Sequence, residues 1–132
     1  MVTEDYVSFE TAKLLKEKGF KIPYDSFRGV YINGIFKRLN PGGAYGHNSE
    51  DEIVEVCSLQ MAMKWLRDEK HYYIQVMLDG WACGDHSGYY VVIQKTDSDF
   101  EMMLQDAVDE VFYQTYEEAA ETAIRYCLEN LI

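Results

Sequence analysis

The residues with the types and spacing best suited to chemistry lie in a glycine-rich stretch of ten residues, 79–88. Cys83 and His86 are separated by two residues, and Asp85 lies between them. Zinc accepts thiolate, imidazole and carboxylate ligands, so these three side chains are candidate metal ligands. A structural zinc site needs a fourth ligand, and His47 or Cys57 could supply it only if the fold brings one of them near. The simpler interpretation is a polar turn shaped by glycine and aspartate, so we predict no bound metal or cofactor.

The same stretch also contains the components of a cysteine nucleophile with a histidine base. Cys83 would need a stabilised thiolate, whereas the negative charges of Asp79 and Asp85 favour the neutral thiol. The chain contains no phosphate-binding loop, dinucleotide fingerprint or serine-hydrolase motif. A small enzyme or a metal or ligand binder is therefore the alternative function, and its candidate residues are His47, Cys83, Asp85 and His86.

Soft and aromatic side chains offer a different kind of functional feature. A predicted helix over 59–69 carries a core-facing apolar stripe, which is formed by Leu59, Ala62, Met63 and Leu66. Met61 and Trp65 lie four residues apart on the same helix and form a second apolar stripe. Trp81 and Tyr45 lie in predicted loops. Met, Trp and Tyr are enriched at protein interfaces, so these four are the predicted interaction residues. For Met61 and Trp65 the alternative is that another element of the fold covers the helix on that side.

Acidic residues outnumber basic residues by 23 to 12, which gives a net charge of −11. Residues 1–70 contain ten Lys or Arg and eleven Asp or Glu, whereas residues 71–132 contain two and twelve, net −10. A field of this sign repels phosphate backbones, so we predict no direct binding to nucleic acid. The same field attracts a basic partner protein. The alternatives are a solubilising surface and a mimic of nucleic acid.

The length of 132 residues and the 48% of apolar residues suit one globular domain over residues 1–132. No apolar run approaches the roughly 20 residues of a membrane helix, and the first ten residues lack the apolar core of a signal peptide. The three cysteines, Cys57, Cys83 and Cys127, are odd in number and widely spaced. Together these features predict a cytoplasmic protein with free thiols and no membrane contact.

Capping residues and a turn dipeptide mark the elements near the start of the chain. Ser8 and Gly19 have the types expected at the two ends of a helix over residues 9–18. Asn33 and Gly34 lie between two strand-forming triplets. This dipeptide predicts a type I′ hairpin, with one bulged strand as the alternative.

Periodicity defines most of the remaining elements. Residues 99–113 fit a helical stripe, but the end of this segment also suits a strand. We predict a helix to about Ala107 and a strand near 110–113. Thr115 and Glu118 form a capping-box pattern that begins the last helix. The other predicted elements are a strand over 53–56, a helix over 59–69, and antiparallel strands over 72–78 and 89–95.

Two stretches of the chain resemble a known group of proteins. One joins residues 8–20, SFETAKLLKEKGF, with residues 59–67, LQMAMKWLR, and the other is the stretch 115–132. They are similar to small uncharacterised proteins of gut Bacteroidetes and of their phages and mobile elements. The resemblance implies an intracellular, phage-like accessory protein, and it implies no catalytic residue.

The predicted fold class is α+β, with a small, mainly antiparallel sheet packed against two or three helices in two layers. The predicted function is that of a cytoplasmic, acidic protein-interaction module. Such a module presents an acidic face and loop aromatics to a protein partner or, by self-association, to a second copy of itself. If the resemblance holds, modulation of a host protein is the natural role.

Overall fold

The computed structural model describes residues 5–22, 29–38, 49–79, 88–104 and 113–132. In the described ranges the chain forms three α-helices, six β-strands and a π-helical turn, Cys127–Leu131. These elements confirm the predicted α+β class. The helices are α1 (Phe9–Glu17), α2 (Leu59–Lys70) and α3 (Tyr116–Tyr126). The strands are β1 (Gly29–Ile32), β2 (Ile35–Arg38), β3 (Ile53–Val56), β4 (Tyr72–Asp79), β5 (Gly88–Lys95) and β6 (Glu101–Leu104).

The strands lie in two antiparallel sheets of three strands each, with the orders β2-β1-β3 and β4-β5-β6. The chain divides into two compact units, Met1–Ala62 and Met63–Ile132, and each unit contains one of the sheets. The division falls within α2. Ser58 caps this helix, because its hydroxyl accepts a hydrogen bond from the N–H of Met61 at 3.1 Å. The strands predicted from the sequence thus form two small sheets.

Helix α1 has the two ends that its flanking residues predict. The Ser8 hydroxyl accepts a hydrogen bond from the N–H of Thr11 at 3.3 Å. At the other end, Gly19 has a φ of +92°, and the N–H of Phe20 donates to the carbonyl of Leu15 at 3.0 Å. This is the Schellman arrangement, in which a left-handed residue lets the chain reverse over the last turn.

The hairpin between β1 and β2 is confirmed, and the alternative of one bulged strand is wrong. Asn33 and Gly34 have φ angles of 52° and 83°, as a type I′ turn requires at both central positions. Ile32 and Ile35 are the cross-strand partners that close the turn. The Asn33 side chain also accepts a hydrogen bond from the N–H of Glu52 at 2.9 Å, which ties the turn to the start of β3.

Replacement of Gly34 by alanine is expected to lower the free energy of unfolding by about 1 kcal/mol, because a Cβ atom is strained at positive φ. The cost comes from the backbone alone, since the added Cβ would meet only the Phe9 ring, at 3.8 Å. Gly34→Asn is the matched control, because asparagine tolerates the left-handed region. Urea denaturation measures both variants. Equal stability of the wild type and Gly34→Ala would contradict this account of the turn.

Valines contribute to the buried core of the first unit, and a cluster of aromatic side chains lies at its half-buried and exposed positions. Tyr31, on the central strand, has its ring 5.5 Å from that of Phe9 and 5.8 Å from that of Phe36, measured between centroids. Its hydroxyl donates a hydrogen bond to the carbonyl of Val7 at 2.8 Å. Edge-to-face ring contacts of this kind add to the area that is buried. The fully buried valines of this unit include Val7, Val30 and Val56.

In the second unit, α3 packs against β4 and β5. Thr115 caps the helix by accepting a hydrogen bond from the N–H of Glu118 at 3.0 Å, which confirms the predicted start of the last helix. The Tyr89 and Tyr116 rings lie 6.2 Å apart in an edge contact, which identifies the sheet face that α3 covers. The buried residues of this layer are Ile74, Val91 and Ile93 on the sheet and Ala119, Ala120, Ala123, Ile124, Cys127 and Leu128 on the helical segment.

The prediction of a helix up to Ala107 is wrong for residues 101–104, which form β6. Lys95 and Phe100 close a hairpin, with the N–H of Lys95 donating to the carbonyl of Phe100 at 3.0 Å. Hydrogen bonding to β5 engages the backbone groups of this short segment that point toward β5, so pairing overrides a helical pattern. Residues 105–112 lie outside the described residues. Of the predicted strand near 110–113 the structure describes Tyr113 alone, which forms an isolated antiparallel bridge with Tyr89, so the strand itself stays a prediction.

Candidate functional site

The loop residues that the sequence singled out lie outside the described residues. They are His47, Tyr45, Trp81, Cys83, Asp85 and His86. In the described ranges, no group of three or more His, Cys, Asp or Glu side chains could hold a metal ion. The metal or ligand site built on the loops therefore stays a prediction.

Met61 and Trp65, the two predicted interaction residues on α2, are half-buried. The Lys70 ammonium lies 5.5 Å from the centroid of the Trp65 ring, in a cation–π contact. Such a contact engages one face of the indole within the helix itself. Neither residue is among the strongly exposed apolar side chains of the described chain. Their role in an interface stays a prediction.

The two described cysteines are buried and do not suit nucleophilic chemistry. Cys57 is 2% exposed, and Cys127 is fully buried. Burial raises the pKa of the Cys127 thiol to about 12, because the surrounding apolar side chains disfavour the thiolate. A thiol of this kind packs as a small apolar side chain.

Several exposed apolar side chains of the described part of the second unit lie on the sheet face opposite α3. Strand alternation places β4 residues Tyr73 and Met77 on this face, with Met103 of β6 and Val92 of β5. Met103 is 57% exposed, and Tyr73 and Met77 are each 38% exposed. We define the open sheet face as Tyr73, Gln75, Met77, Val92, Gln94, Glu101 and Met103.

A polar strip crosses the open sheet face beside these apolar side chains. The Gln75 side-chain amide donates a hydrogen bond to the Gln94 carbonyl oxygen. The Gln94 amide in turn donates to a Glu101 carboxylate oxygen at 3.3 Å. This ladder fixes the three side chains relative to each other and leaves carboxylate lone pairs at the strip's end. The open sheet face thus carries an ordered hydrogen-bond acceptor beside apolar surface.

Carboxylates concentrate where this strip reaches the turn between β5 and β6. A depression of about 370 Å³ lies there, and Tyr73, Asp99, Phe100 and Glu101 are among its lining residues. Lys95 also lines it, but its ammonium lies 3.8 Å from the Asp97 carboxylate. The charge at this end of the open sheet face is therefore negative.

A second concavity lies in the first unit, between α1 and β3. It is a groove of about 270 Å³ with apolar walls that include Leu15, Phe20 and Ile53. The Lys16 ammonium at the groove donates a hydrogen bond to the carbonyl of Ile53 at 3.3 Å. The remaining charged lining residues, Lys21 and Glu55, have opposite signs. They therefore favour no particular ligand charge.

Sequence reasoning did not find the open sheet face. The signal in β4 is that apolar side chains occur at both odd and even positions of the strand. A strand with one polar face would instead alternate between apolar and polar residues. The sequence of β4 therefore indicates that Met77 is an apolar residue on the face opposite Ile74. Met103 gives no such signal, because the apolar pattern of its segment predicts a helix.

Comparison of the chain with protein-family models, with curated proteins and with solved structures returned no match. The resemblance to small Bacteroidetes proteins therefore stays a prediction. In the part of the chain that the structure describes, every helix is too short or too polar to cross a membrane.

Proposed function

We propose that the protein is an acidic protein-interaction module and that a partner protein binds on the open sheet face. The observation that carries this proposal is the exposure of Met103, Met77 and Tyr73 on one face of a three-stranded sheet. Burial of apolar surface contributes roughly 25 cal/mol per Å², so a partner that covers this face gains binding free energy. Met and Tyr are also the residue types enriched at interface cores.

Charge limits the kind of partner. The unit Met63–Ile132 contains 14 Asp or Glu and five Lys or Arg, which gives a net charge of −9. This field accelerates the approach of a cationic partner and opposes the approach of a phosphate backbone. We therefore propose a protein partner that combines lysine or arginine with apolar side chains, and no direct binding of nucleic acid. A cytoplasmic location is part of the proposal, since Cys57 and Cys127 are free thiols.

The test is a selection of displayed random peptides on immobilised wild-type protein, with Met103→Asp as the counter-selected variant. We expect the enriched peptides to combine basic and apolar residues, and to bind more weakly as salt concentration rises. Met103→Asp is expected to weaken their binding at least about tenfold, because a carboxylate that a bound peptide covers must be desolvated.

Ile35→Asp is the matched control for this selection. Ile35 is 73% exposed on β2, outside the open sheet face, so the same apolar-to-acidic change there is expected to leave peptide binding unchanged. Circular dichroism checks that both variants keep the wild-type fold. Peptides that bind wild type and Met103→Asp equally well would overturn the proposal.

A further inference from the structure

Two outer strands of this chain have the same length and could pair with each other through their backbones. β2 is an outer strand of the first sheet and β6 is an outer strand of the second, and each has four residues. All four side chains of β2 are exposed, and those of β6 alternate between exposed and half-buried. In the described ranges each strand is paired along one edge. An unpaired edge offers a row of N–H and C=O groups to another strand.

The existing pairings determine which backbone groups point outward. In a two-residue hairpin the residues beside the turn exchange hydrogen bonds, so Ile35 and Lys37 bond to β1. The N–H and C=O groups of Phe36 and Arg38 therefore point away from the sheet. In β6, the Lys95–Phe100 bond sets the same alternation, which directs Met102 and Leu104 toward β5. Glu101 and Met103 are the outward-pointing residues of that strand.

We propose that β2 of one copy pairs antiparallel with β6 of a second copy of this chain. Outward-pointing residues must lie opposite each other in the hydrogen-bonded positions. The register that uses all four residues of both strands places Phe36 opposite Met103 and Arg38 opposite Glu101. The two remaining pairs are Ile35 with Leu104 and Lys37 with Met102.

The side chains of this register are complementary. Opposite charges directly across a pair of strands stabilise the pairing, and Arg38 faces Glu101. Phe36 faces the thioether of Met103, a favourable aromatic contact, and Ile35 faces another aliphatic side chain. Within the described residues, no ion pair of Arg38 occurs.

The alternative self-pairings are less favourable. Pairing of β2 with β2, with Phe36 opposite Arg38, places Lys37 opposite Lys37 of the second copy, and like charges across a strand pair destabilise it. Pairing of β6 with β6 places Glu101 opposite Met103 and gives no ion pair. The favoured contact joins two different surfaces, so each copy can bind one copy on each side. Association then closes on itself or continues as a filament, according to the rotation between successive copies.

This inference deepens the proposed function and rests on it, because Glu101 and Met103 belong to the open sheet face and the partner named here is a second copy. The test is sedimentation velocity of the full chain over a concentration series up to about 1 mM. Wild type is expected to associate, and Arg38→Glu and Glu101→Arg are each expected to weaken association at least about tenfold. An equimolar mixture of the two variants is expected to recover it, because each then offers the other a complementary strand.

Lys37→Glu is the matched control for charge. It changes the net charge as much as Arg38→Glu does, but Lys37 lies opposite Met102 in the proposed register, so a smaller loss is expected. Monomeric wild type at the highest concentration would overturn the inference, as would a mixture that associates no better than its components. Equal losses in Lys37→Glu and Arg38→Glu would also overturn it. Retained peptide binding by monomeric Arg38→Glu would keep the proposed function standing in each case.

Discussion

Replacement of Ile93 by alanine is expected to lower the free energy of unfolding by about 3 to 4 kcal/mol. Ile93 is fully buried on β5, the central strand of the second sheet. Its strand partners are Ile74 on β4 and Met102 on β6, and α3 packs over this face. The substitution removes buried methyl groups and leaves a cavity. The surrounding structure cannot relax to fill this cavity, because β5 is paired with a strand on each side. Urea denaturation followed by circular dichroism gives the value.

Ile35→Ala is the control, because it removes the same atoms at a position that is 73% exposed. Its expected effect is within about 0.5 kcal/mol, since surface substitutions rarely exceed that value. The slope of the unfolding free energy with urea should be the same in both variants if only the native state is destabilised. A loss for Ile93→Ala no larger than that for Ile35→Ala would show that the second sheet does not carry the core described here.

The elements that the sequence predicts correctly are those with local signals. Ser8, Thr115 and Gly19 act on backbone groups within a few residues of themselves, so their types are sufficient to place helix ends. The Asn33–Gly34 turn is local in the same sense, because positive φ at both positions fixes the hairpin. Such features depend little on the rest of the chain.

The features that the sequence does not predict depend on distant partners. β6 carries apolar residues that satisfy a helical and a strand period at once, and only β5 decides between them. The assignment of six strands to two sheets is non-local for the same reason. The open sheet face depends on both the strand assignment of β6 and the pairing of the strands. Met103 lies on the same face as Met77 only because β4 and β6 both pair with β5. The exposure of Met61 and Trp65 also depends on distant parts of the chain, because a helical stripe alone does not determine how far each side chain is exposed.

The alkaline stability of the protein is expected to depend on Cys127. The pKa of its thiol is raised from an ordinary value of 9.0 to about 12 by burial. Between these pH values the unfolded chain loses the thiol proton and the folded chain keeps it. The unfolded state then binds fewer protons, so the free energy of unfolding falls as pH rises, by roughly 1 kcal/mol per pH unit. Below pH 9.0 the thiol is protonated in both states and contributes no pH dependence.

Cys127→Ala isolates this contribution, because every other titrating group is common to the two proteins. Near neutral pH the variant is expected to be less stable by about 1 kcal/mol, since the removed sulfur leaves a small cavity. The difference should vanish and change sign at about pH 10, where the wild type loses stability through its buried thiol and the variant does not. Urea denaturation of both proteins at a series of pH values from neutral upward measures it. A difference that stays constant across the series would mean that the Cys127 thiol titrates alike in the folded and unfolded chain, and that the last turns of the chain do not exclude water from it.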